Sequence, residues 1–262
     1  MIKHLNRTTR ELFQYREVLA NILSQHLKVK YKRTSLGYVW SLLNPVLQLL
    51  VLTAVFSHVV RLGMRDYTLY LFSGLLAWTF FSNTLSTASV SLLENENFIK
   101  KVYLPKVIFP LSRMLLCGID FLFSLAALSL IALALGFKFY LSVVLLPLVM
   151  LNFAAFTLGC ALIVSVATVF FRDIQYLLGV FLNLLYFLTP IIYPMSALPQ
   201  NYQKWMNLNP MGVQINLFHK VLYYGEMPTP MEWLPAIAMS VVLLLGGLAI
   251  LMSFEDEVVF RM

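Results

Sequence analysis

The chain has 262 residues, 60% of them hydrophobic and 12% charged, with a formal net charge of +7 and a mean hydropathy of +0.79. A soluble domain carries about 25% charged residues; a chain this apolar cannot cover a water-facing surface, so a soluble enzyme or binding domain is excluded and an integral membrane protein is implied. The positive charge has the sign of a nucleic-acid binder, but it lies in the segments between apolar runs, so no nucleic-acid partner is expected.

Residues 1–36 read as a unit of their own. Leu12, Tyr15, Leu19, Ile22, Leu23 and Leu27 share one face at helical spacing, and Arg10, Gln14, Glu17, Asn21, Ser24 and Lys28 the other. This predicts an amphipathic helix, too polar to span, lying on the cytoplasmic membrane surface or packed on a partner protein. The start, MIKHLNRTTRELFQYREVLANIL, lacks the short uninterrupted apolar core of a cleaved signal peptide. Lys28, Lys30, Lys32 and Arg33 then lead through a turn at Leu36 and Gly37 into Tyr38, Trp40 and a long apolar run. That order marks where the membrane begins and which side is the cytoplasm.

Residues 37–262 read as an all-α transmembrane domain of six spans, at about 37–60, 67–93, 107–135, 141–170, 175–194 and 233–254. Pro45 should kink the first. The second has a polar side that includes Asn83, a residue that should face protein or water. Glu94 to Lys106 is short and charged, fitting a cytoplasmic loop with a stub of helix. The third span holds Arg113 and Asp120, seven residues apart and nearly on one face. An intramembrane carboxylate is either a functional group or a structural partner of Arg113 or of a neighbouring hydroxyl. Arg172 and Asp173 can pair locally in the turn after the fourth span.

Residues 195–231 differ, because Pro194, Pro199, Pro210, Pro228 and Pro230 cut them into pieces too short to cross. Gln200–Leu208 and Met211–Tyr224 are predicted as two short helices in the outer interface, with Tyr202, Trp205, Tyr223 and Tyr224 as anchors. With this topology 14 of the 19 Lys and Arg fall on the side of the amino terminus, which places both termini in the cytoplasm.

The sequence contains no G-x-x-x-x-G-K-[ST], H-E-x-x-H or G-x-S-x-G. Cys117 and Cys160 lie in apolar runs and read as small buried hydrophobes, and the four histidines are scattered. No catalytic residue, metal site or cofactor of this chain's own is expected. Tyr38, Trp78, Phe81, Tyr186 and Tyr193 are candidates for lining a channel, where aromatic faces suit sugar rings.

The order of parts is more specific than any one of them: interfacial helix, basic run, L-G-x-x-W entering a span with N-P, charged loop after span two, F-F-R-D-I between spans four and five, then T-P-I-x-Y-P and L-N-P. From Leu12 to Phe254 this resembles the membrane subunit of a type-2 ABC exporter of the polysaccharide branch. It is most similar to O-antigen exporter permeases, then to capsule and teichoic-acid permeases.

The resemblance implies a homodimer joined to two copies of a separately encoded P-loop ATPase, which would bind the ATP and Mg. It implies a polysaccharide cargo on a polyprenyl pyrophosphate, moved across the bacterial inner membrane. Leu36 and Gly37 would face the lipid headgroup, with Lys30, Lys32 and Arg33 near the pyrophosphate. Glu94, Glu96, Lys100, Lys101 and Tyr103 would couple to the ATPase. Tyr202, Trp205, Phe218 and Tyr223 would belong to outer gate helices. A small-molecule efflux permease of the same type, or a secondary transporter using Asp120, are the rival expectations.

Overall fold

A computed structural model describes residues 14–31, 67–134, 140–201 and 208–261, with Gln203 and isolated positions between 40 and 51. The expected first span at 37–60, with Lys32, Arg33, Leu36, Gly37 and Tyr38, lies outside the described residues, as do Tyr202 and Trp205. Among the described residues all regular structure is helical.

An amino-terminal helix α1 (Arg16–Tyr31) is followed by α2 (Tyr67–Ser89), the short α3 (Ser91–Glu94) and α4 (Glu96–Lys101), and the long α5 (Ile108–Ala134). A 3-10 turn at Leu141–Leu145 leads into α6 (Leu146–Phe170), then α7 (Ile174–Leu188). After an irregular stretch come α8 (Pro210–His219), a π-helical turn at Lys220–Tyr224, α9 (Pro230–Ser253) and α10 (Glu255–Arg261).

Among the described residues three segments are long and apolar enough to cross a bilayer: Ile108–Leu130, Leu141–Phe170 and Pro230–Ser253. The apolar α7 is shorter, at 15 residues. It stops at Leu188 rather than running to 194, because Pro190 and Pro194 follow and the residue before a proline is driven from helical geometry. Helix α2 has 23 residues and the length to span, but its Ser, Thr, Asn and Tyr content makes it less apolar. Those hydroxyls bond back to their own helix: Ser73 donates to Tyr70 O, Thr79 to Leu75 O and Thr87 to Asn83 O, each at 2.7 Å.

Helix α2 is the central element, with 15 of its 23 residues buried. It packs on α5, α6 and α8. Where these four meet, Phe80, Phe81, Phe121, Phe153, Phe156 and Phe218 stack and abut with ring centroids 5.3–6.4 Å apart. Lipid tails are as apolar as these rings, so in a bilayer the gain comes from close packing rather than from escape from water.

The most extensive helix pair is α6 with α9. A Cβ on Gly159 would lie 2.5 Å from the Leu243 carbonyl oxygen, and one on Gly247 2.5 Å from that of Gly159. The two backbones touch, which only glycine at both positions permits.

A second apolar cluster closes the end of the bundle where α3, α4 and α10 gather. Leu92, Leu104, Val107, Val166 and Val258 form it, and Val18 and Ile22 of α1 pack against it.

Candidate functional site

Among the described residues three ion pairs bring separate elements to α5 and its entry. From α1, Lys30 Nζ donates to both carboxylate oxygens of Asp120, at 2.6 and 2.5 Å. From α3, Glu94 accepts from the Arg113 guanidinium. From α10, Glu255 accepts from Lys106 Nζ at 2.9 Å, and Lys106 is only 8% exposed. Arg113 and Asp120 therefore take different partners instead of each other. Seven residues of helix separate them by about 10.5 Å along the axis, too far for a salt bridge, and Asp120 is compensated by a cation 90 residues away in sequence.

His26 lies beside the Arg113–Glu94 pair. Burial pulls its pKa below the ordinary value, and the Arg113 charge adds to that while Glu94 opposes it. Its Nδ1 and the Nε of Arg113 are buried without hydrogen-bond partners among the described residues.

The short helix α4 is different in kind, having no buried residue. Lys100 donates to Glu96 one turn earlier at 2.6 Å, a pair worth about 0.3–0.5 kcal/mol. Lys101 is exposed, as are Phe98, Val102 and Tyr103. Apolar side chains ringed by charge, on a helix that packs so little, form the kind of surface that meets another protein. Of the expected coupling residues, Glu94 is exposed but tied to Arg113 of α5, whereas Glu96, Lys100, Lys101 and Tyr103 belong to this outward surface.

The expected channel aromatics divide. Trp78 and Phe81, 8% and 3% exposed, sit in the core with ring centroids 6.0 Å apart. Tyr186 joins them at 5.4 Å from Trp78 and is half-buried. Tyr193 stands apart beyond α7, its hydroxyl donating to Phe187 O at 2.8 Å. The outward face of α7 was not singled out in the sequence. Tyr176, Val180, Phe181, Leu184 and Phe187 are exposed on it, together with Asn183 and Gly179, the latter with no described residue within 4 Å of a Cβ position. Gly179 and Asn183 are one turn apart, and an amide cannot be satisfied by hydrocarbon.

At the opposite end of the bundle, α8 is wedged inward rather than lying over the surface. Asn209 caps it, accepting from Met211 N at 3.0 Å, and Met211, Ile215, Leu217 and Phe218 are all buried. Phe218, expected in a gate helix, is part of the aromatic core. His219 is buried against Gly74 of α2, where a Cβ would come 2.6 Å from its Nε2. Tyr223 meets Tyr70 edge-on at 5.2 Å. Lys220 donates to Glu232 of α9 at 2.7 Å, and that bond raises its pKa.

Long apolar helices, a belt of cross-element ion pairs at one end and a short exposed helix between α2 and α5 define a multi-pass membrane protein. The model of the ABC-2 type transporter family matches residues 17–223, and the chain belongs to that family. The O-antigen export system permease protein RfbA of Myxococcus xanthus is 31% identical over 253 residues, covering 96% of this chain and 97% of that protein. A Klebsiella pneumoniae protein of the same name is 29% identical over 212 residues, 80% and 82% of the two chains. The polysialic acid transport protein KpsM of Escherichia coli is 25% identical over 236 residues, 88% and 91%.

Proposed function

We propose that this chain is the membrane subunit of an ATP-driven polysaccharide exporter of the O-antigen type in a bacterial inner membrane. The carrying observation is the 31% identity to an O-antigen export permease over 96% of this chain. The sequence has no P-loop, so ATP and Mg belong to two copies of a separate ATPase subunit, and two copies of this chain complete the pathway. Six spans with both termini cytoplasmic is the topology that the Lys and Arg distribution favours. A capsule-type polymer is the second reading, favoured by the likeness to KpsM.

The cargo is read as a polysaccharide on polyprenyl pyrophosphate. Lys30, Lys32 and Arg33, close in sequence to Leu36 and Gly37, are read as the cations that meet the pyrophosphate at the inner interface. Lys30 already engages Asp120, so phosphate contact by Lys30 is an exchange of one anion for another. The pathway runs between two copies along α7, whose exposed Asn183 and open Gly179 suit a partly polar boundary, with Tyr186 and Tyr193 beside it, and Tyr38 is read as a further lining residue.

Energy enters at α4. ATP binding draws the ATPase subunits together, and contact through Glu96, Lys100, Lys101 and Tyr103 displaces α4. The Glu94–Arg113 pair passes that displacement to α5 as a rigid-body movement. Residues 200–224, with Tyr202, Trp205 and Tyr223, are read as the outer gate, and Phe218 as its root in the core.

Deleting the gene in its native host tests this reading. Loss of surface polysaccharide, with lipid-linked polymer accumulating on the cytoplasmic side, is the expected result. Unchanged surface polysaccharide would overturn it.

A further inference from the structure

We propose that the carboxyl-terminal helix α10 is a positioning element for energy coupling: through the Lys106–Glu255 pair and the buried Val258 it fixes α4 relative to α5, α6 and α9. The proposal rests on the exporter reading above and assigns a role to a segment that lies outside the family match at residues 17–223.

Coupling through α4 poses a mechanical problem. Helix α4 has six residues and none of them is buried. Its link to α5 is irregular from Tyr103 to Pro105. A single-turn helix held so loosely would pivot when pushed, and the displacement would be lost in the loops. Something must back it.

Helix α10 is placed to do so at three points. Val258 is fully buried in the same cluster as Leu92 of α3, Leu104 and Val107, and Ile99 of α4 packs against that cluster. Glu255 holds Lys106 at 2.9 Å, two residues before α5 begins. At the far end the Arg261 guanidinium lies over the Phe170 ring, 4.6 Å from its centroid, and Phe170 meets Phe254 edge-on at 5.3 Å. The helix is held at its start, middle and end against the α3–α4 segment and the ends of α6 and α9. Its local sequence agrees: Glu255, Asp256 and Glu257 occupy the first turn and Arg261 the last, matching the helix dipole.

The pair is suited to positioning because it is nearly dry on the lysine side. A buried ammonium with one carboxylate partner has one favourable geometry, so the entry to α5 is set by where α10 stands. Reversing either charge should free that entry without touching the outward surface of α4.

The test uses the full chain in complex with its ATPase, reconstituted in vesicles, comparing Glu255→Lys, Lys106→Glu and the double swap. The readout is polymer exported per ATP hydrolysed, normalised to folded complex, which a merely structural role would not change. Each single variant should retain the ATPase at wild-type stoichiometry but lose about five-fold or more in export per ATP. The swap should recover most of it. Phe260→Ala, on the exposed side of α10, should leave the ratio unchanged. Single variants that export at the wild-type ratio would overturn the proposal while leaving the exporter reading intact, and so would a swap that fails to restore coupling. A wild-type chain that binds no ATPase would remove the exporter reading and this proposal with it.

Discussion

The side-chain amide of Asn152 on α6 donates to the Oε1 of Gln214 on α8 at 2.8 Å. Gln214, only 1% exposed, passes the connection on, its Nε2 donating to Ala236 O at 3.0 Å and Ser240 Oγ at 3.1 Å on α9. One amide thus ties a short inward-wedged helix to two long ones. Such bonds inside a membrane protein contribute about 0.6–2 kcal/mol each. Gln214→Leu should therefore lower stability by about 1–3 kcal/mol. Thermal unfolding in detergent checks this, and an unchanged midpoint would show that the network contributes nothing.

The glycines give a paired prediction. Gly159→Ala drives a methyl into Leu243 backbone that cannot retreat, so it should cost about 1–3 kcal/mol and reduce the yield of folded protein. Gly179→Leu meets open space among the described residues and should leave their fold intact. If a second copy packs along α7, the same substitution should weaken self-association. Size-exclusion chromatography with light scattering separates the two effects; self-association unchanged by Gly179→Leu would move the copy-to-copy contact elsewhere.

Long helices were the most legible part of the sequence. The expected spans 107–135 and 141–170 match Ile108–Ala134 and Leu141–Phe170, because apolar runs bounded by charge and proline leave little choice. The pairing of Lys30 with Asp120 was not legible, since it joins residues 90 positions apart and only packing of α1 on α5 brings them together. Direction was equally hidden. Trp78 and Phe81 point inward while Phe181 and Phe187 point outward, and in a membrane helix both faces are apolar, so periodicity carries no sign. The exposed amide of Asn183 is the one local signal for the outward face of α7, and Asn83 on α2 is exposed as well.

Asp120 separates two classes of transporter. As a structural partner of Lys30, partly open to solvent, it contributes about 1 kcal/mol or less. Asp120→Asn should then loosen α1 but spare most export, and export should not respond to collapse of the proton gradient. Abolished transport together with lost proton dependence would instead make Asp120 the proton carrier of a secondary transporter.

Docking of α1 should depend on pH through His26. Its pKa with α1 docked is depressed below 6.5 by burial and by Arg113, so the undocked helix takes up a proton more readily. The stabilisation is complete above the ordinary value and is lost as pH falls through the depressed one. Amide hydrogen exchange along α1, corrected for the intrinsic pH effect, should therefore quicken below about pH 6.5. His26→Gln should flatten the profile. A wild-type profile already flat across this range would show that the imidazole titrates alike in both states.

The most direct test of the exporter account is affinity purification of the tagged chain from native membranes in mild detergent, with mass spectrometry of everything retained. The account predicts a P-loop ATPase at a one-to-one ratio with this chain. Recovery of the chain without any ATPase, under conditions that preserve other membrane complexes, would contradict it.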